Sequence, residues 1–252
     1  MPLSVAHAQT PLSAGDIVII GVDTDNENFH FVPLVDLDTG TEIIFTDSGW
    51  NETSVQFRGG EGAVKYTAPS NIPAGMITSW ITNSTDFTSA NDDNVGTNGM
   101  DLSASGDQVL AFQGSSSSPT FIFAVQTNST EWQIGDVASS NESALPLGLT
   151  NGGNAAAVGL GTGAGDEYDN AWYSGVITSG LSTDILAAVA DNSNWTGDNA
   201  NYSPYTTDFI VSASDTINLS FSKTASPDTN VTYHGEITYT ITLTNSGSLS
   251  AT

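Results

Sequence analysis

Apolar residues along this chain fall in short runs, each cut off by Gly, Pro, Asn or Ser. Asp16–Val22 is a β-branched run opened by Ala14-Gly15. Glu42–Thr46 follows the turn Asp38–Gly40, and Ala63–Thr67 alternates until Pro69 stops it. Met76–Ile81 follows Pro73-Ala-Gly75, Gln108–Phe112 follows Ser105-Gly-Asp107, and Thr120–Val125 follows a Ser-rich turn. Brief β-branched and aromatic runs with turn residues between them are the signature of an antiparallel β-sandwich. Val18, Ile20, Ile44, Val109, Leu110, Phe112, Phe121, Phe123 and Leu186 are the expected core. One stretch breaks the rhythm. Ile185, Leu186 and Val189 share a helical face, Thr183-Asp184 can cap it, and Asp191–Ser193 ends it, so one short helix is expected over about residues 183–191.

The texture changes after Ser212. Ile217, Leu219 and Phe221 alternate with polar residues, and Ile237, Tyr239, Ile241 and Leu243 alternate with Thr, each pattern that of a half-buried strand. Ser212–Asp215 reads as a polar linker. The expected fold class is therefore all-β: a β-sandwich over 9–212 with one short helix, then an incomplete immunoglobulin-like unit over 213–252. Two or three strands are too few for an independent sandwich. Ala6-His7-Ala8 fits the small-x-small pattern before a signal-peptidase cut, so residues 1–8 read as a signal-peptide remnant and the chain as exported.

Charge narrows the range of functions. Three Lys and Arg stand against 28 Asp and Glu, a formal net charge of −25. Nucleic acid is held by Lys and Arg clusters, and the chain has none, so no nucleic-acid partner is expected. No run of about 18 apolar residues is present, so no helical membrane span is expected. With no cysteine, the chain can form neither disulfides nor thiolate metal sites.

Nucleophilic catalysis finds little material. His30 is the one histidine in the main domain, no Gly-x-Ser-x-Gly elbow accompanies it, and Phe29-His30-Phe31 reads as a strand with the His on its polar face. Gly159–Ala164 matches a dinucleotide fingerprint formally, but Asp166-Glu167 follow it and would repel a pyrophosphate. Arg58 and Lys65 are the only basic groups available to the main domain, too few for a phosphoryl clamp. A non-catalytic role is expected.

Calcium suits the chain better, because hard cations take several carboxylate and carbonyl oxygens. Asp23, Asp25 and Glu27 lie at i, i+2 and i+4, and Asp47 in the Thr-Asp-Ser-Gly turn is a candidate fourth ligand. The helix-loop-helix calcium pattern is excluded, since Asn28 stands where Gly is needed and Leu34 where the bidentate Glu belongs. Asn91-Asp92-Asp93 and Asp166-Glu167-Asp169 are weaker alternatives. Five Trp residues raise carbohydrate binding as a further expectation, provided that some lie exposed.

Two resemblances sharpen this picture. Lys223–Pro227 with Gly235–Gly247 looks like the start of an immunoglobulin-like repeat of unknown function in bacterial surface proteins. Residues 12–212 resemble an N-terminal module of large secreted bacterial proteins, some containing nucleases or phosphatases. The segments that carry it include Ala14–Ile20, Phe31–Asp38, Thr41–Trp50, Gly60–Gly62, Asp169–Gly175 and Asn194–Gly197. Leu102–Leu110 is also similar to the lamin-tail sandwich. These resemblances imply an extracellular or cell-surface structural or adhesive module, and as an alternative an accessory domain of a secreted hydrolase. The expected partners are a surface polysaccharide or protein, or another copy, since the alternating strand Ile237–Leu243 offers an unpaired edge for strand addition.

Overall fold

The computed structural model describes residues 9–81, 84–163, 165–212, 219–226 and 232–245. The signal-peptide remnant and most of the linker read from the sequence lie outside them. The chain divides into two compact units, Met1–Ser212 and Ala213–Thr252.

The first unit runs β1 (Ile17–Asp23), β2 (Asn28–Pro33), β3 (Glu42–Thr46), β4 (Trp50–Asn51), β5 (Gln56–Phe57), β6 (Ala63–Thr67), β7 (Thr78–Ile81) and β8 (Phe87–Ser89). It continues with β9 (Gln108–Ser115), β10 (Ser118–Gln126), β11 (Ala155–Ala157), β12 (Asn170–Tyr173), β13 (Ser179–Leu181), α1 (Ser182–Ala190), β14 (Trp195–Asp198) and β15 (Ile210–Ser212). Five strands form one sheet in the order β14-β12-β1-β2-β7, with every pair antiparallel. Six form the other, β11-β10-β9-β3-β6-β8, antiparallel except where β11 joins β10 in parallel.

The main core lies between these sheets. Phe29 and Phe31 of β2 meet Phe45 of β3 at ring centroid distances of 4.7 and 5.0 Å. The outer face of the six-stranded sheet is also covered. Trp50 and Phe57 of the β4–β5 ribbon close over Phe112 and Phe121, with Ala144 and Leu149 beside them. Burial on both faces explains why β9 and β10 carry continuous buried runs instead of alternating ones. The expected core residues fall in both clusters, with Leu110, Phe112 and Phe121 in the second, but the sequence reading did not separate the two or foresee the ribbon that covers the outer one. Of the expected core residues, Ile44 and Leu186 are only half-buried, while the other seven are buried.

The helix packs Ile185 and Val189 inward. The expected capping by Thr183-Asp184 is not formed. Leu181 occupies the N-cap without a side-chain bond, and Asp184 lies inside the first turn, where its charge still favours the helix dipole. A bulge in β1 places both Ile19 and Ile20 in the core and turns Gly21 to the outer face, opposite His30. No helix among the described residues is long and apolar enough to cross a membrane.

Among its described residues the second unit contains an antiparallel hairpin, β16 (Leu219–Ser226) with β17 (Thr238–Asn245). Leu219, Phe221, Tyr239, Ile241 and Leu243 are all exposed.

Candidate functional site

At one end of the sandwich, carboxylates from separate loops converge. Glu27 comes from the β1–β2 turn, Asp47 follows β3, Glu61 precedes β6, and Asp101 and Asp107 lie in the segment before β9 and at its threshold. Each of four carboxylates holds a main-chain N–H of another loop or of its own. Glu27 accepts from Leu102 N at 2.8 Å, and Asp47 accepts from Asp101 N at 2.6 Å and Gly62 N at 3.2 Å. Asp107 accepts from Ser103 N at 2.6 Å and from Gln108 N at 2.8 Å. Glu61 takes the Gly49 N–H. These bonds stitch the loop ends together in place of a continued ladder.

Asp47 and Asp107 are each 1% exposed. Burial without a strong cation pushes their protons on. Burial, and then the charge of Asp101, raises Asp47 to about 6, against the pull of the Asp101 and Gly62 N–H groups. Glu27 rises to about 7 by burial, assisted by the Asp101 and Asp47 charges. Glu61 rises to about 8 by burial and by the Asp47 charge, with Arg58 as the one opposing cation. Asp107 is raised well above the carboxylate range by burial, then by Asp47 and Glu61. The Arg58 guanidinium itself donates to the Gly59 carbonyl at 3.3 Å.

Two buried oxygens in this region have no hydrogen-bond partner: Glu61 Oε2 and Gln108 Oε1. The Gln108 side-chain amide donates to the Asp47 and Ser140 carbonyls, which places it beside the cluster. Oxygen-only donors with spare lone pairs suit a hard divalent cation. Among the described residues, however, no group of three or more acidic or histidine side chains forms a ready-made metal site. A cation would have to draw these carboxylates inward.

The four residues singled out from the sequence separate into two places. Glu27 and Asp47 belong to the cluster. Asp23 instead holds its own turn, accepting from Asn26 N at 3.1 Å and from Asn28 Nδ2 at 3.0 Å. Asp25 faces β12, where Asn170 Nδ2 donates to it at 2.8 Å. Of the weaker alternatives, Asp92 accepts from Asn94 N, Val95 N and the Ser116 hydroxyl. Asp166 accepts from Gly163 N at 2.8 Å, so a carboxylate of the chain itself occupies the glycine-rich turn that resembled a phosphate cradle.

Sequence reasoning missed Glu61, Asp101 and Asp107. The available signal was Asp107 itself, an acid separated only by Gln108 from the apolar run Val109–Phe112 of β9.

His30 stands on the outer face of β2, where its Nδ1 meets the Tyr202 hydroxyl at 2.8 Å. Burial lowers its pKa, against the opposing pull of the Asp23 charge.

No protein-family model, curated protein or solved structure matches this chain.

Proposed function

We propose that this chain is a non-catalytic structural or adhesive module of an exported bacterial protein, clasped at one end by carboxylates that take up calcium. The observation that carries the reading is the use of the cluster. Glu27 and Asp47 bind main-chain N–H groups of other loops, and Asp107 one of its own loop, instead of aligning a nucleophile with a base. Such an arrangement fixes shape. It also leaves several coupled carboxylates whose repulsion protons or a cation must relieve. Outside a cell, where millimolar calcium is common in saline media, an oxygen-lined site of modest affinity is adequate. The extracellular setting rests on the leader-like start, the cysteine-free acidic composition and the resemblance to secreted bacterial modules.

Thermal unfolding with added calcium tests this. A cation that binds only the folded state stabilises it by roughly 2.7 kcal/mol at a hundredfold excess over its dissociation constant. Calcium should raise the melting temperature more than magnesium does, and the excess should vanish in Asp47→Asn. Equal shifts from calcium, magnesium and sodium chloride at matched ionic strength would mean that salt merely screens the net charge, and the calcium clasp would be abandoned.

A further inference from the structure

The outer face of the five-stranded sheet carries a second site of different chemistry. Trp172 of β12 lies there, paired across the sheet with Gly21 of β1 on one side and Thr196 of β14 on the other. Tyr202 stands edge-on to it, with ring centroids 6.0 Å apart at 87°. Gly21 makes room for that ring, since a Cβ at this position would overlap the Tyr202 hydroxyl. The same hydroxyl is tied to His30 Nδ1. Trp172 is therefore braced from beneath while its side chain remains only half-buried.

Beside it opens a cavity of about 330 Å³, bounded by Trp172, Tyr173 and Ser174 and by the segment 203–207. Tyr205, also half-buried, forms its second aromatic wall. That ring is fixed as well. Its hydroxyl donates to the Gly175 carbonyl at 2.7 Å, and it packs against Tyr173 and Phe209 at centroid distances of 5.9 and 5.7 Å. The remaining wall residues include Ser203, Thr206 and Thr207, with hydroxyls available to a ligand, and Ser174, whose hydroxyl already bonds the Asn194 carbonyl and the Thr196 hydroxyl; no charged side chain lines the cavity.

The wall composition selects the ligand. A cation would want carboxylates, which the wall lacks. An anion would approach against the field of a chain carrying −25. A purely apolar molecule would cover the Ser203, Thr206 and Thr207 hydroxyls without giving them partners. A neutral sugar satisfies both halves: its C–H face lies on an aromatic ring, and its hydroxyls exchange hydrogen bonds with Ser and Thr. We propose that this cavity binds a neutral sugar unit of a polysaccharide, with Trp172 and Tyr205 as the aromatic walls. The reading does not depend on the carboxylate clasp, which lies among other loops.

The test uses the full chain against immobilised neutral oligosaccharides of gluco, galacto and manno configuration, beside uronic-acid oligosaccharides, in buffer with a chelator so that calcium plays no part. At least one neutral series should bind, and the uronic acids should not. Trp172→Ala should weaken that binding about tenfold or more, with an unchanged circular-dichroism spectrum. Should Trp172→Ala fail to fold, the exposed pair Thr206→Ala and Thr207→Ala removes wall hydroxyls without touching the core and should weaken binding as well. Absence of binding to every neutral series, or binding that survives both variants, would overturn the proposal.

Discussion

Between the two sheets, Phe29, Phe31 and Phe45 are buried against one another and carry nothing that the solvent can change. At the loop end of the same sandwich, Asp47 and Asp107 are buried to the same degree, yet each carries a group that wants a proton or a cation. The apolar interior stabilises the fold under any conditions in which water disfavours hydrocarbon. The acidic end makes part of the stability conditional on the medium. Equal burial thus gives a fixed contribution in one place and an adjustable one in the other.

The largest effect should come from the fixed side. Phe45→Ala removes a fully buried ring from the centre of the aromatic cluster and should cost about 3–5 kcal/mol in chemical denaturation. The loss should be the same at pH 5 and pH 8. A loss that differs between them would show that the two regions are coupled.

The adjustable side should respond to pH. Glu27, Asp47 and Glu61 have folded-state values near 7, 6 and 8, above their ordinary values near 4. The folded chain therefore holds more protons than the unfolded one across this window, and stability falls as pH rises. The contribution is fully present below about pH 4 and is lost as pH rises through about 6 to 8, the Glu61 share last. Urea denaturation in a chelating buffer should show that decline, and calcium should flatten it. Glu61→Gln keeps an acceptor for the Gly49 N–H and removes the charge. It should gain about 1 kcal/mol at pH 8 relative to the parent chain and nothing at pH 4. A rising profile over the same range would remove the basis for the contrast.

The smallest effect belongs to the hairpin of the second unit. Ile241 is 62% exposed and Phe221 is 66% exposed, so Ile241→Ala and Phe221→Ala should each change stability by no more than about 0.5 kcal/mol. A loss comparable with that of Phe45→Ala would mean that this face is covered in solution.

Much of the sandwich could be read from the chain because its strands end at Gly and Pro. Glu42–Thr46 and Ala63–Thr67 coincide with the runs read from the sequence. The helix at Ser182–Ala190 sits one residue earlier than its pattern suggested. Pairing was harder to foresee. Nothing in the alternation of Ala155–Ala157 announces a parallel partner, because three alanines fit either direction. Nor does Trp50 reveal that a short ribbon folds over the back of a sheet.

The carboxylate cluster was half legible. Asp23, Asp25 and Glu27 drew notice because acids are dense there, but the turn sends only Glu27 toward the cluster. Glu27 has a positive φ of 53°, and that local backbone choice follows from the folded turn and not from spacing. Glu61, Asp101 and Asp107 are isolated acids among 28, and only the third dimension assembles them.

Gly21 and Tyr202 share a space that holds only one of their side chains at full size. The two positions are 181 residues apart in the chain, yet a change at one has meaning only in the light of the other. Among descendants of this sequence, a larger residue at 21 should appear together with a smaller one at 202. In the laboratory, Gly21→Ala with Tyr202→Ser should be better tolerated than Gly21→Ala alone. Such pairing would be a heritable mark of the outer face, visible in an alignment long before any ligand is known.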